Sequence, residues 1–106
     1  QAKTIIVFFN LKPTVSEADY LKWAKEIDLP SVNQLQSVSS FEVYKGMSML
    51  GLDASSPWQY FEVIQLKSES AFLQEIQTEM MQKVVAQFQS FAQDAQFITT
   101  VNILAS

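Results

Sequence analysis

The stretch Thr4–Lys12 reads TIIVFFNLK. Its β-branched and aromatic residues make it a strand. Alternation puts Ile5, Val7, Phe9 and Leu11 on one face, and Ile6 and Phe8, followed by Asn10, on the other. Both faces are apolar, so both need cover. The rest of the fold must supply it.

Helical signals follow at once. Pro13 and Ser16 announce a helix, with Ser16 as N-cap and Glu17 and Asp19 in the first turn, where the dipole favours them. Tyr20, Leu21, Trp23, Ala24 and Ile27 recur at helical spacing, and the pattern is expected to stop before Pro30. Ser37–Met47 (SVSSFEVYKGM) alternates as a second strand, with Phe41 and Val43 opposite Ser40, Glu42 and Tyr44. A loop holding both glycines and Pro57 leads to a third strand, Trp58–Lys67 (WQYFEVIQLK). There Phe61 and Val63 share one face, and Tyr60, Glu62, Ile64 and Leu66 the other.

Ser68 caps a second helical region that runs to about Ala92. As one helix it would reach roughly 36 Å, longer than the third strand at about 33 Å. A break with a second N-cap is therefore placed at Thr78. Beyond it, Met81, Val84, Val85, Phe88 and Ala92 form an apolar stripe. Gln96–Leu104 (QFITTVNIL) reads as the last strand. Residues 1–106 thus form one domain with the order βαββαβ. This is an α+β, ferredoxin-like pattern: an antiparallel four-stranded sheet with helices on one face. The expected open face carries Ile6, Phe8, Phe41, Val43, Phe61 and Val63. That patch is too apolar to leave in water, which implies a homodimer packed through the sheet face.

The composition removes whole classes of chemistry. The 106 residues include no Cys, His or Arg, and only two Gly, Gly46 and Gly51. These absences exclude disulfides, thiolate nucleophiles, His-based triads, zinc sites built on Cys or His, and bidentate Arg clamps. Two glycines cannot build a phosphate loop. A net charge of −4 without Arg argues against nucleic acid and against an anionic membrane surface. The longest strictly apolar run, Ile5–Phe9, cannot span a bilayer. No signal-peptide pattern opens the sequence, so the expectation is a soluble cytoplasmic protein with no metal and no cofactor. Any catalysis falls to Asp, Glu, Tyr, Lys or Ser.

Four groups of residues are candidates for function. Glu42 and Glu62 lie mid-strand beside Tyr44 and Tyr60 in one hairpin. Buried together, two carboxyls push one pKa up and create a general acid or base. At a sheet edge they are merely solvated. Tyr20, Trp23, Tyr44 and Tyr60 suit a pocket for a flat, partly polar ligand, or ordinary core packing. Asp28, just before Leu29 and Pro30, is either a turn former or a group with another partner, since it opposes the helix dipole. Met47, Met49, Leu50 and Leu52 crowd the 46–57 loop as a flap over a ligand or an arm across a second copy.

The run Trp23-x4-Asp28-x-Pro30-x4-Leu35-x-Ser37-Val38-x2-Phe41, with Tyr60-Phe61-Glu62-Val63-Ile64, resembles the RedY-like proteins over nearly the whole chain. These are small bacterial proteins of prodiginine (red tripyrrole pigment) biosynthesis. The resemblance implies a dimeric α/β barrel and the handling of a pyrrole intermediate, with another biosynthetic enzyme as a candidate partner. In the wider superfamily the ligand cavity lies between sheet and helices. By that comparison Tyr60, Glu62, Ile64, Val7 and Phe9 face it, as do Ser40, Glu42 and Tyr44 if the second strand has no bulge. Related cyclases often place a catalytic His on a helix where Met81 stands here, which excludes a His-based mechanism. Three functions follow as expectations. The first is an accessory protein that binds a bipyrrole-type ligand through Trp23, Tyr20, Tyr44, Tyr60, Phe9, Asp28 and Met81. The second is a cofactor-free cyclase or condensation enzyme using Glu62 with Glu42. The third is a non-catalytic interaction protein.

Overall fold

β1 (Thr4–Leu11) is a central strand of a four-stranded antiparallel sheet in the computed structural model, which describes residues 2–104. The other strands are β2 (Val38–Lys45), β3 (Tyr60–Leu66) and β4 (Ala92–Thr100), in the order β2-β3-β1-β4. Ile5, Val7 and Phe9 are buried beneath the helices. Their cross-strand partners Ile64, Glu62 and Tyr60 share that face. Phe9 sits at the centre of an aromatic cluster, with ring centroids 5.7 Å from Tyr20, 5.7 Å from Tyr60 and 5.0 Å from Phe88.

β2 departs from the expected facing. A bulge lies between Val38 and Ser40, so Val38 pairs with Leu66 but Ser40 pairs with Gln65. A one-residue slip turns every later side chain over. Phe41 then opposes Ile64 and Val43 opposes Glu62 on the helix-covered face, while Glu42 opposes Val63 and Tyr44 opposes Phe61 on the open face. Without the bulge Glu42 would oppose Glu62. The open face therefore carries Ile6, Phe8, Phe61, Val63 and Ile98, with Trp58 edge-on to Phe8 at 4.7 Å, and not Phe41 or Val43.

The first helical segment also runs past its expected end. It comprises α1 (Glu17–Trp23), a π-turn (Ala24–Asp28) and α2 (Leu29–Asn33). Ser16 caps it as expected, accepting from Asp19 N–H at 3.2 Å. Pro30 does not terminate the helix. The Leu29 N–H reaches back five residues to the Ala24 carbonyl, and Pro30 takes a first-turn position of α2. A wider turn loosens the crowding that proline creates with the carbonyl four residues back. It also keeps a stripe of every fourth residue in line. Steps of four overshoot an α-helical turn by about 40° each. The π-turn takes back that drift, so Tyr20, Ala24, Asp28 and Val32 all stay buried.

α3 (Glu69–Glu75) and α4 (Glu79–Phe91) are separated at Thr78, which accepts from Met81 N–H at 3.3 Å, as Ser68 does from Ala71 N–H at 3.2 Å. The apolar stripe of α4 packs inward through Met81, Val84 and Phe88. β4 starts four residues before the expected Gln96 and ends four before Leu104. Its pairing explains both limits: Ala92 already opposes Leu11, and Thr100 opposes Thr4, where β1 begins.

Candidate functional site

The sequence places an acid on the π-turn and another mid-strand, and the fold turns both toward one space. A cavity of about 600 Å³ lies between the covered sheet face and the helices. β1 and β3 contribute Ile5, Ile64 and Leu66 to its wall, and β2 contributes Phe41. α3 supplies Phe72 and Ile76; α4 supplies Met81, Val84 and Phe88. Leu73, Gln89, Phe97 and Thr99 line it but are exposed, which marks its mouth. Asp28 and Glu62 line it while only 4% and 3% exposed, which places them at the deep end.

Asn33 helps to fix this end. Its side chain donates to the Phe41 carbonyl and accepts from the Phe41 N–H, both at 3.0 Å. It thus closes the free edge of β2 as a further strand would, and holds Phe41 in the wall. Glu75 of α3 accepts from the N–H groups of Gln36 and Ser37 at 3.1 and 2.9 Å, tying α3 to the turn before β2.

Burial alters the chemistry of both acids. Burial alone pushes the Asp28 carboxyl up to about 7. Burial raises Glu62 well above the usual carboxylate range, and the charge of Asp28 adds to it. Near neutral pH the pair therefore holds at least one proton. Asp28 Oδ2 has no hydrogen-bond partner, and the buried Tyr20 hydroxyl has none. Burial, then Glu62 and Asp28, raise that hydroxyl's pKa. The Tyr60 hydroxyl donates to Glu17, which also pairs with Lys45 at 3.1 Å on the surface.

Of the anticipated site residues, Glu62, Asp28 and Met81 line the cavity. Phe9, Tyr20 and Tyr60 are packed behind its wall, fully or almost fully buried. Trp23 stands outside it, stacked obliquely on Phe91 and donating Nε1–H to Gln87 at 2.7 Å. Glu42 and Tyr44 are corrections. The bulge puts them on the open face, where the Tyr44 hydroxyl donates to Glu42 at 2.9 Å. The partner of Glu62 is Asp28. Met47, Met49, Leu50 and Leu52 do not line the cavity either, so the 46–57 loop is no flap over it. Phe41, Phe72 and Ile76 were missed. The i, i+4 spacing of Phe72 and Ile76 was a readable signal; the bulge that turns Phe41 inward was not.

Sheet, helices and cavity define a ferredoxin-like α+β protein with an internal ligand-sized site. The family model of the REDY-like protein HapK matches residues 3–103, and the chain belongs to that family. Among solved structures it is similar to HapK from Hahella chejuensis, with TM-score 0.72 and 24% identity over 94% of this chain and 93% of that one. It is similar to a hydroxynitrile lyase from Passiflora edulis, with TM-score 0.78 and 12% identity over 96% and 94%. A dimeric ferredoxin-like protein from Thermobifida fusca aligns with TM-score 0.71 and 16% identity over 95% and 91%. No curated protein matches the chain in sequence. Among the described residues no helix is long and apolar enough to cross a membrane.

Proposed function

We propose that this chain is an accessory protein of prodigiosin-type pigment biosynthesis that holds a bipyrrole-type intermediate between sheet and helices. Family membership supports the pathway. The observation that carries the ligand is the cavity itself: about 600 Å³, walled by aliphatic and aromatic side chains, with two buried carboxyls at its deep end. Small-molecule sites commonly span roughly 300–1,000 Å³ and orient ligands through a few polar groups. A flat bipyrrole fits the apolar wall, and Glu62 accepts its N–H. Calorimetric titration with a bipyrrole aldehyde should give one site per chain. No heat at high micromolar ligand would overturn the reading. The ligand's own absorbance is a better optical probe than Trp23, which lies outside the cavity.

A second reading has its own observation. The raised carboxyls of Glu62 and Asp28 suit acid–base work near neutral pH, as a cofactor-free condensation or cyclisation needs. Glu62→Gln should then lower turnover by about 100-fold or more while binding persists. Unchanged turnover removes this reading. A third, an interaction protein using the exposed Met49 loop, would be left standing by a cavity that binds nothing.

We also infer that a second copy covers the open sheet face. Ile6, Phe8, Phe61 and Val63 form an apolar patch there, and similar structures are described as dimeric. Sedimentation at micromolar concentration should show about twice the 12.0 kDa chain mass. A monomer would refute it.

A further inference from the structure

We propose that Asp28 and Glu62 work as a donor-reading pair. Together they select flat, apolar ligands that present two convergent N–H groups, and they turn away ligands whose polar edge is a carboxylate. The proposal uses the same cavity as the function above, and goes further by naming which feature of a ligand the site recognises.

Three observations carry it. The two carboxyls reach the cavity from different walls, Asp28 from the π-turn and Glu62 from β3. Both stand at its deep end, so one edge of a ligand meets both acceptors. Asp28 Oδ2 is buried without a hydrogen-bond partner, and among the described residues no hydrogen bond holds the Glu62 carboxyl. A buried acceptor left unmade costs about 1–3 kcal/mol, more when charged, so a donor arriving there is strongly favoured. The wall around them is mainly aliphatic and aromatic and offers a planar ring contact, while Gln89 and Thr99 stand at the mouth.

The charge state gives the selection its sign. The other charged groups lining the cavity are Lys12, after β1, and Glu69, on α3; Tyr20 and Tyr60 lie behind the wall. Acids thus outnumber bases three to one around the ligand. Once Asp28 is ionised, above about pH 7, an anionic ligand meets repulsion there and a neutral N–H donor meets a charged acceptor. Ionisation of Asp28 strengthens the bond it accepts. Affinity for a neutral donor should therefore rise as pH climbs through about 7.

Calorimetry with four probes tests this. They are aminobenzimidazole, which is flat with convergent N–H groups and no pyrrole; a bipyrrole aldehyde; its N-methylated analogue; and naphthoate. Both N–H ligands should bind at pH 8, and the bipyrrole aldehyde, whose charge does not change over this range, should bind more weakly at pH 6. N-methylation should weaken binding at least about tenfold, the worth of one charge-assisted hydrogen bond. Naphthoate should not bind at pH 8, where Asp28 is ionised. Asp28→Asn should weaken both N–H ligands similarly at pH 8 and abolish the pH dependence of the bipyrrole aldehyde. The N-methylated probe makes the same comparison on the unaltered chain, so the test survives a variant that fails to fold. Equal binding of methylated and unmethylated bipyrrole overturns the donor pair and leaves the bipyrrole assignment standing. Asp28-dependent binding of aminobenzimidazole without bipyrrole does the reverse. Binding of neither N–H ligand, or of naphthoate as tightly as either, refutes the pair.

Discussion

The two faces of this sheet are woven from the same strands, and each carries a mid-strand glutamate next to an apolar patch. They do opposite things. On the covered face Glu62 is 3% exposed, faces the cavity and is raised by burial and by Asp28. On the open face Glu42 is solvated and accepts from Tyr44, itself 50% exposed. Residue type does not separate them. One extra residue does: Ser39, in the bulge that offsets β2 from β3. Chemistry in a two-faced sheet is decided by register before it is decided by side chains.

The most disruptive way to break this comparison is to delete Ser39. Regular pairing would bring Glu42 opposite Glu62 inside the core and expel Phe41. A third unpaired buried acid and the loss of a core aromatic each cost several kcal/mol. Their sum is comparable with the whole stability of about 5–15 kcal/mol typical of a domain. The variant should lack a cooperative thermal transition. A native-like melt would show that the bulge does not set the register.

Phe88→Ala and Phe61→Lys probe the faces separately. Phe88 contacts Phe9 at 5.0 Å beneath the helices, so its truncation should cost about 3–5 kcal/mol in denaturant unfolding. Phe61 faces outward beside Phe8. A lysine there should split the dimer in sedimentation while leaving the helical circular dichroism intact. An intact dimer in that variant would move the interface elsewhere.

Asp28 sharpens the contrast through pH. Folding raises its pKa from 3.8 to about 7, so the folded chain keeps a proton that the unfolded chain gives up. Its contribution is full below about pH 4 and is lost as pH rises through about 7. The loss is on the order of 4 kcal/mol, and Glu62 acts in the same direction. Stability should therefore fall between pH 4 and pH 8. Asp28→Asn should flatten that fall. A steep profile that persists unchanged in the variant would place the titrating group elsewhere.

Much of the fold was legible because its signals are local. Ser16, Ser68 and Thr78 cap helices where the sequence put them, since a hydroxyl there satisfies an N–H that a helix start always leaves over. Glu62 was legible from strand alternation and the family resemblance. What failed was what tertiary pairing decides. A bulge leaves no mark in alternation, so Glu42, Tyr44 and Phe41 were assigned to the wrong faces. The π-turn hid in a helix that Pro30 had seemed to end, although Asp28 carried a hint: an acid set against the helix dipole. The aromatic residues Trp23, Tyr20 and Tyr60 suited a pocket by chemistry, but the cavity opens beyond them, toward α3 and α4.

The mildest test lies on the open face. Tyr44→Phe removes only the hydroxyl that donates to Glu42. Exposed polar contacts of this kind add little to stability, because water replaces either partner when the bond is lost. The melting midpoint should barely move, and ligand affinity not at all, since neither residue lines the cavity. The same chemistry on the covered face behaves differently. Glu62→Gln alters a group buried at the deep end of the cavity, and should change affinity for N–H ligands without exposing the core. If Tyr44→Phe weakened ligand binding as much as Glu62→Gln, the two faces would not be separate in solution, and a second copy's Tyr44 or Glu42 would have to reach the site.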